Sequence, residues 1–100
     1  MKRAPRNDLA AALRTARRAV GIAQEGFVGV SGRTYISQLE RGERNATLSK
    51  LDEIASVMGL HPATLVALSY LPAPGASSEL EKLLSRVREE MLRLGTGPSG

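Results

Sequence analysis

The apolar residues of this chain recur at intervals of three and four positions, which is the period of amphipathic helices. A first helix is predicted from Asp8 to Val20, with Asn7 or Asp8 capping its first turn and Gly21 ending it. Its inward positions are Leu9, Leu13, Ala16 and Val20. No segment alternates apolar and polar residues as a half-buried strand would, so the pattern predicts an all-α fold.

Four further short helices are predicted in the first 71 residues. They start near Ala23, at Arg33, after Thr47, which caps its helix, and at Pro62, where His61 caps or precedes the helix. Gly42 and Gly59 are expected to end the third and fourth helices, because glycine adopts the backbone conformation that closes a helix. The inward positions of the last three are Ile36, Leu39, Leu48, Leu51, Ile54, Ala55, Met58, Leu65 and Leu68.

A last amphipathic helix is predicted after a segment of two prolines and a glycine that cannot continue a helix. Ser78 and Glu81 form a capping-box pattern at its start. Its apolar residues form a heptad stripe of Leu80, Leu84, Val87, Met91 and Leu94. The chain is therefore expected to divide into a domain at 1–71, a linker at 72–77, a helix at 78–94 and a disordered tail at 95–100.

The composition argues against enzyme and metal chemistry. Apolar residues make up 42% of the chain and charged residues 24%, which is a globular balance. There is no cysteine and a single histidine, His61, so we expect no catalytic residues, no metal site and no cofactor. Asp52 and Glu53 are adjacent on a predicted helix and point about 100° apart, which makes them a poor acid–base pair.

The apolar pattern predicts neither a secretion signal nor a membrane span. The longest uncharged stretch is interrupted by proline and glycine, and the N-terminal residues contain no unbroken apolar run. We therefore expect a cytoplasmic protein with no membrane partner.

The positive charge is concentrated in the first half of the chain. Residues 1–45 contain nine Lys or Arg against four Asp or Glu, a net charge of +5, whereas the whole chain has +4. Most of these cations are arginine, whose planar guanidinium donates two parallel hydrogen bonds to phosphate. This asymmetry favours a nucleic-acid face, and a solvated basic surface is the alternative.

Two stretches carry a more specific pattern, Gly21 to Glu25 and Arg33 to Asn45. They resemble the Xre-like family, the Cro and phage-repressor type of helix-turn-helix, and Thr47 to Leu60 resembles its fourth helix. The resemblance covers roughly residues 8–70, and the run from Arg33 to Thr47 is also similar to the small controller proteins of restriction–modification systems. It implies a five-helix lambda-repressor-like domain that binds double-stranded operator DNA and regulates transcription.

In this family the third helix enters the major groove while the second crosses the DNA backbone. The resemblance implies DNA contacts from Gln24, Arg33, Thr34, Tyr35, Ser37, Gln38, Arg41, Arg44 and Asn45. Arg33 suits guanine, Gln38 suits adenine and Thr34 suits a thymine methyl. The expected phosphate contacts are those of Gln24, Arg41, Arg44 and Asn45. Arg3 and Arg6 are candidates for an N-terminal arm.

Several of these residues have a structural alternative. Tyr35 serves either packing or DNA contact, while Arg17 and Glu40 match an ion pair of the family that joins the first and third helices. The interval from Gln24 to Tyr35 is about two residues shorter than is usual in the family. It predicts a shortened second helix and an unusual turn, with glycines at positive φ.

A module of this size reads few base pairs, so the resemblance implies a homodimer on a palindrome with half-sites about 34–36 Å apart. Two surfaces are candidates for the dimer contact, the fifth helix through Leu65, Leu68 and Tyr70, or the stripe of the last helix. Packing of the last helix on its own domain is the alternative to the second. An alternative function is that of an antitoxin or adaptor, whose last helix binds a protein partner such as a toxin. DNA binding would then be autoregulatory or absent.

Overall fold

The computed structural model describes residues 7–27, 29, 32–73 and 76–95. The helices are α1 (Leu9–Val20), a 3₁₀ helix (Gln24–Phe27), α2 (Arg33–Glu40), α3 (Leu48–Met58), α4 (Pro62–Ser69) and α5 (Ser77–Arg93). No strand occurs in this part of the chain, which confirms the prediction of an all-α fold. The chain splits into two compact units, an N-terminal unit of residues 1–70 and a C-terminal unit of residues 71–100.

Side chains fix the starts of α1, α3 and α4 as predicted. Asp8, Thr47 and His61 each accept a hydrogen bond from a backbone N–H of the following turn, at 3.0, 3.1 and 3.0 Å. Each bond satisfies one of the amide groups that a helix leaves unpaired at its start. Gly21 and Gly59 end α1 and α3 at positive φ of 78° and 70°. Short-range sequence signals therefore set the bounds of these helices.

The start of α5 differs from the prediction. The backbone N–H of Leu80 donates to the carbonyl of Ala76 at 2.9 Å, so the helix already begins at Ser77. Ser78 therefore lies inside the first turn, and no side chain caps the helix. The predicted capping box of Ser78 and Glu81 is wrong, because a serine inside the helix cannot take the N-cap position.

A shared core joins α1, the 3₁₀ helix, α2, α3 and α4. Its largest fully buried side chains are Leu13, Phe27, Ile36, Leu39, Ile54 and Leu65. Burial of each such side chain contributes about 1.5–3 kcal/mol. Phe27 is the last residue of the 3₁₀ helix, so its burial anchors that short segment to the core.

Val20 and Leu48 were predicted to face inward, and this prediction is wrong. Val20 is 40% exposed and Leu48 is 76% exposed. Val20 is the last residue of α1 and Leu48 is the first residue of α3, so both lie beyond the turns that pack against the core. Side chains of a helix lean toward its N-terminus, which carries Leu48 further outward.

The second helix is as short as the spacing predicts. The second helix is a single 3₁₀ turn of four residues. Gly32 precedes α2 with φ of +77°, a conformation that glycine adopts without strain. Gly26 serves a different purpose, because a Cβ atom there would lie 2.6 Å from Cγ2 of Ile22. The prediction of a shortened second helix is therefore confirmed.

Among the described helices, none is by itself long and apolar enough to cross a membrane. Helices α3 and α4 taken together are long and apolar enough, but the chain bends by 106° at the break between them. Arg3, Arg6 and the predicted tail beyond Gly95 lie outside the described residues, as do Pro74 and Gly75 of the predicted linker.

Candidate nucleic-acid interface

A buried carboxylate fixes helix α2 to the segments that precede it. Glu40, the last residue of α2, is only 4% exposed. Its carboxylate accepts hydrogen bonds from both Nε and Nη2 of Arg17 in α1, the latter at 2.9 Å. Nε2 of Gln24, in the 3₁₀ helix, donates to the same carboxylate at 3.0 Å. The orientation of α2 is therefore set by charged hydrogen bonds to two other elements, and the predicted Arg17–Glu40 pair is confirmed.

Further hydrogen bonds from α1 strengthen this arrangement. Nη1 of Arg14 donates to the backbone carbonyl of Glu40, which would otherwise be an unpaired group at the end of α2. Nη1 of Arg17 donates to the carbonyl of Ile22 at 3.1 Å, just before the 3₁₀ helix. Two of the arginines in the basic half of the chain thus hold the scaffold together.

The ion pair keeps its charges at neutral pH. Burial by itself raises the pKa of Glu40, but the hydrogen bonds from Arg17 and Gln24 outweigh it and hold the pKa below its usual range. Donation of these hydrogen bonds to Glu40 in turn raises the pKa of Arg17. Both groups are therefore ionised whenever the N-terminal unit is folded near neutral pH.

The two sides of α2 differ in chemistry. Ile36 and Leu39 are buried in the core, as the apolar pattern predicted. The opposite side carries the candidate base-contacting residues, Arg33, Thr34, Ser37 and Gln38. Arg33 and Thr34 are exposed, and Ser37 and Gln38 are half-buried. The polar side chains therefore form one outward face, which we call the α2 face.

Arg33 lies at the start of this face and is paired with an acid that the sequence did not single out. Its Nε lies 3.1 Å from Oε2 of Glu25, and both side chains are more than 60% exposed. The two terminal nitrogens of the guanidinium, Nη1 and Nη2, extend beyond this contact. Glu25 thus occupies one edge of the guanidinium group and leaves its end available.

The turn after α2 is hydrogen-bonded to the same face. Arg41 donates to the Ser37 hydroxyl and to both carboxylate oxygens of Glu43, at 2.9 and 3.0 Å. Nε of Arg44 donates to Oε1 of Gln38 at 2.7 Å. The candidate base contacts and the candidate phosphate contacts therefore form one connected surface.

Two cations lie near the ring of Tyr35. The Arg44 guanidinium is 5.3 Å from the centre of the ring and the Lys50 ammonium is 5.5 Å from it, both within the range of cation–π attraction. The half-buried ring also packs against the core. Tyr35 therefore connects this surface to the core and keeps the positive charges of Arg44 and Lys50 close to it.

Sequence reasoning missed Glu25, Glu43 and Lys50. Glu25 and Glu43 lie within the two stretches that resemble the family, but as acids they give no signal for a DNA contact. Lys50 is separated from Tyr35 by the turn between α2 and α3. Gln24 was predicted to point toward phosphate, whereas its side-chain amide is directed at Glu40. Asn45 is exposed just beyond the α2 face.

A short helical segment locked to a second helix, whose outer face carries arginine, threonine, serine and glutamine, defines a helix-turn-helix module. A family model described as helix-turn-helix matches residues 13–65. The match covers more than half of the chain, which therefore belongs to the Xre-like helix-turn-helix family.

Three known proteins are similar to this chain. Control protein C.BamHI of Bacillus amyloliquefaciens is 44% identical over 34 residues, which are 34% of this chain and 42% of that protein. The crystal structure of the restriction–modification controller protein C.AhdI from Aeromonas hydrophila is 32% identical, with a TM-score of 0.54 over 58% of this chain and 91% of that chain. The clp gene regulator ClgR from Corynebacterium glutamicum shares the fold, with a TM-score of 0.59 at 22% identity over 94% and 93% of the two chains.

Proposed function

We propose that this protein is a transcriptional regulator of the controller-protein type, which binds double-stranded DNA at a palindromic operator as a homodimer. The observation that carries the proposal is the α2 face, whose polar side chains point outward while Glu40 fixes the helix from behind. A helix held in this way can enter the major groove with its side chains already oriented. The similarity to the controller proteins C.BamHI and C.AhdI supports the same function.

The proposed base contacts come from three side chains of the α2 face. Nη1 and Nη2 of Arg33 suit the O6 and N7 acceptors of guanine, since Glu25 occupies only the Nε edge. The exposed methyl group of Thr34 suits the methyl group of thymine. Gln38 reaches adenine only after Arg44 releases it, because Nε of Arg44 donates to its Oε1 in the free protein.

Proposed phosphate contacts surround this central set. Arg41, Arg44 and Asn45 lie in the turn after α2, where the DNA backbone passes in this class of module. Lys50 adds a fourth group, since it shares the Tyr35 ring with Arg44. Glu43 faces Arg41 and reduces its net charge, so we propose that Arg44 and Lys50 contribute more to binding than Arg41 does.

The salt dependence of operator binding tests the DNA-binding proposal. We expect affinity for an inverted repeat from the DNA upstream of the gene to fall about a thousandfold between 50 and 200 mM salt, because binding releases counterions from the phosphates. A scrambled duplex of the same composition should bind more weakly at every salt concentration. Equal affinity for both duplexes, or affinity independent of salt, would contradict the proposal; fluorescence anisotropy measures both quantities.

For the dimer contact we propose the exposed stripe of α5 rather than α4. Leu65 is fully buried in the core of its own N-terminal unit, so it presents no side chain to a second copy. Leu68 is half-buried, which leaves α4 a small apolar surface. In α5, by contrast, Leu84, Val87 and Leu94 are all more than 40% exposed.

Removal of α5 is expected to abolish dimerisation and to weaken operator binding with it. A chain that ends at Gly75 keeps the complete core of the N-terminal unit, so it should remain folded and monomeric. Sedimentation equilibrium measures the assembly state, and full-length protein with Leu84→Asp and Val87→Asp provides the matched variant. An unchanged dimer in both proteins would move the contact to α4.

The antitoxin or adaptor function uses the same exposed stripe of α5, with a partner protein in place of a second copy. A homodimer that binds its operator without any added protein would argue against it. A monomer that binds DNA tightly only when a neighbouring gene product is present would support it.

A further inference from the structure

The charged residues of α5 divide into two groups. Glu79 pairs with Lys82 at 3.5 Å within the helix, and Glu90 pairs with Arg86 at 3.1 Å and with Arg93 at 3.9 Å. Three other charged side chains of α5 have no ion-pair partner in the part of the chain that the structure describes. These are Glu81, Arg88 and Glu89.

Two of these three side chains border the apolar stripe on the same edge. Glu81 follows Leu80 and Arg88 follows Val87, and their spacing of seven positions brings both to nearly the same angular position on the helix. Glu89 is on the opposite side of the helix, about 180° from Leu80. The stripe therefore has one edge with an unpaired acid near its start and an unpaired base near its middle.

The direction in which two such helices pack decides what this edge meets. With a two-fold axis perpendicular to the helices, each edge meets the same edge of the other copy in the reverse direction. Glu81 then faces Arg88 of the second copy, and Arg88 faces Glu81 of the second copy. In a parallel pair the edge meets the other edge instead, where Arg88 would face Leu83.

We propose that α5 binds α5 of a second copy in the antiparallel direction, with two Glu81–Arg88 ion pairs closing one edge. This inference rests on the proposed homodimer and specifies its geometry. Leu80 then packs against Met91 of the second copy, and Leu84 packs against Val87. The opposite edge of the stripe brings no like charges together. Glu90 on that edge is paired with Arg86 of its own helix and would meet the uncharged Leu83 of the second copy.

The span of such a pair fits the proposed operator. A helix of 17 residues is about 25 Å long, so antiparallel pairing starts the two α5 helices about 25 Å apart. Parallel pairing would bring the same two starts to about 10 Å. Half-sites lie about 34–36 Å apart, which favours the wider separation of the segments that lead to the two DNA-binding units.

Single cysteines in the full chain test the direction directly, because the protein contains none of its own. In an antiparallel pair the two copies of residue 80 are separated by about 16 Å along the helix, so Leu80→Cys alone and Met91→Cys alone should not form a disulfide dimer. An equal mixture of the two variants should form the mixed disulfide. Efficient self-linkage of each variant would establish a parallel pair and overturn the proposal, while the homodimer itself would stand.

Exchange of the two charges provides the second arm of the test. Glu81→Arg and Arg88→Glu each place like charges together twice, so each should raise the dimer dissociation constant about tenfold. The double variant should restore it. Glu89→Arg is the matched control, with the same change of charge on the far side of the helix, and should have little effect. If the double variant dimerised no more tightly than the single variants, the proposal would be overturned. A native protein that is a monomer and still binds the operator would also overturn it, but would leave the proposed DNA binding intact.

Discussion

Replacement of Glu40 by alanine is expected to lower the free energy of unfolding by about 3–5 kcal/mol. The substitution leaves the Arg17 guanidinium without its partner, although that side chain is only 13% exposed. It also leaves the amide of Gln24 without its acceptor. A domain of this size is stable by about 5–15 kcal/mol, so the variant should lose a large share of its stability. Urea unfolding of the full chain, followed by circular dichroism, measures the change.

Two further variants separate the buried pair from ordinary surface charge. Glu40→Gln keeps the shape of the side chain and one oxygen acceptor, so it should cost less than alanine. Glu43→Ala removes a carboxylate whose ion pair with Arg41 is exposed, and solvent screens such a pair. We expect no measurable loss from Glu43→Ala. An equal loss from Glu40→Ala and Glu43→Ala would contradict the role assigned to Glu40.

The same residue predicts a loss of stability in acid. The pKa of Glu40 is lower in the folded protein than in the unfolded chain, so the unfolded state binds its proton first as the pH falls. The contribution of Glu40 is therefore complete near neutral pH and decreases below about pH 4. Glu40→Gln removes this titration, so the difference in stability between the native chain and Glu40→Gln should shrink between pH 7 and pH 3.

Most of the fold was predictable because its signals are local. The caps at Asp8, Thr47 and His61 involve neighbours two or three residues away, and the sequence alone identifies them. Periodicity also identified the buried faces of α2 and α3. It failed at Val20 and Leu48 because a repeat of apolar residues does not reveal where the core ends along a helix.

The candidate site was predictable only in part. The spacing of Arg33, Thr34, Ser37 and Gln38 places them on one side of a helix, and the structure has them there. The acids and the lysine that modify this face come from other segments, and their contacts depend on the fold of two turns. The direction of Gln24 depended on whether a buried carboxylate was within its reach, which no short-range pattern shows.

Replacement of Arg33 by alanine is expected to remove discrimination at one base pair in each half-site, at a cost of about 1–3 kcal/mol for each. The reason is that only this side chain of the α2 face offers two parallel donors at its end. Binding to operators that already lack the guanine should be little changed. Competition assays with a set of operators, each altered at one base pair, measure the effect.

Arg44→Ala provides the contrast, because a proposed phosphate contact carries no sequence information. It should weaken binding by a similar factor on every operator except those altered at the base pair proposed for Gln38, because the variant also releases that side chain. It should lower the salt slope by about one for each subunit. Arg18→Ala is the matched control, since it removes the same charge from an exposed position on α1 that lies outside the α2 face. If Arg33→Ala and Arg44→Ala reduced affinity equally on all sequences, the α2 face would hold the DNA backbone without reading its bases, and the proposed specificity would have to come from elsewhere in the chain.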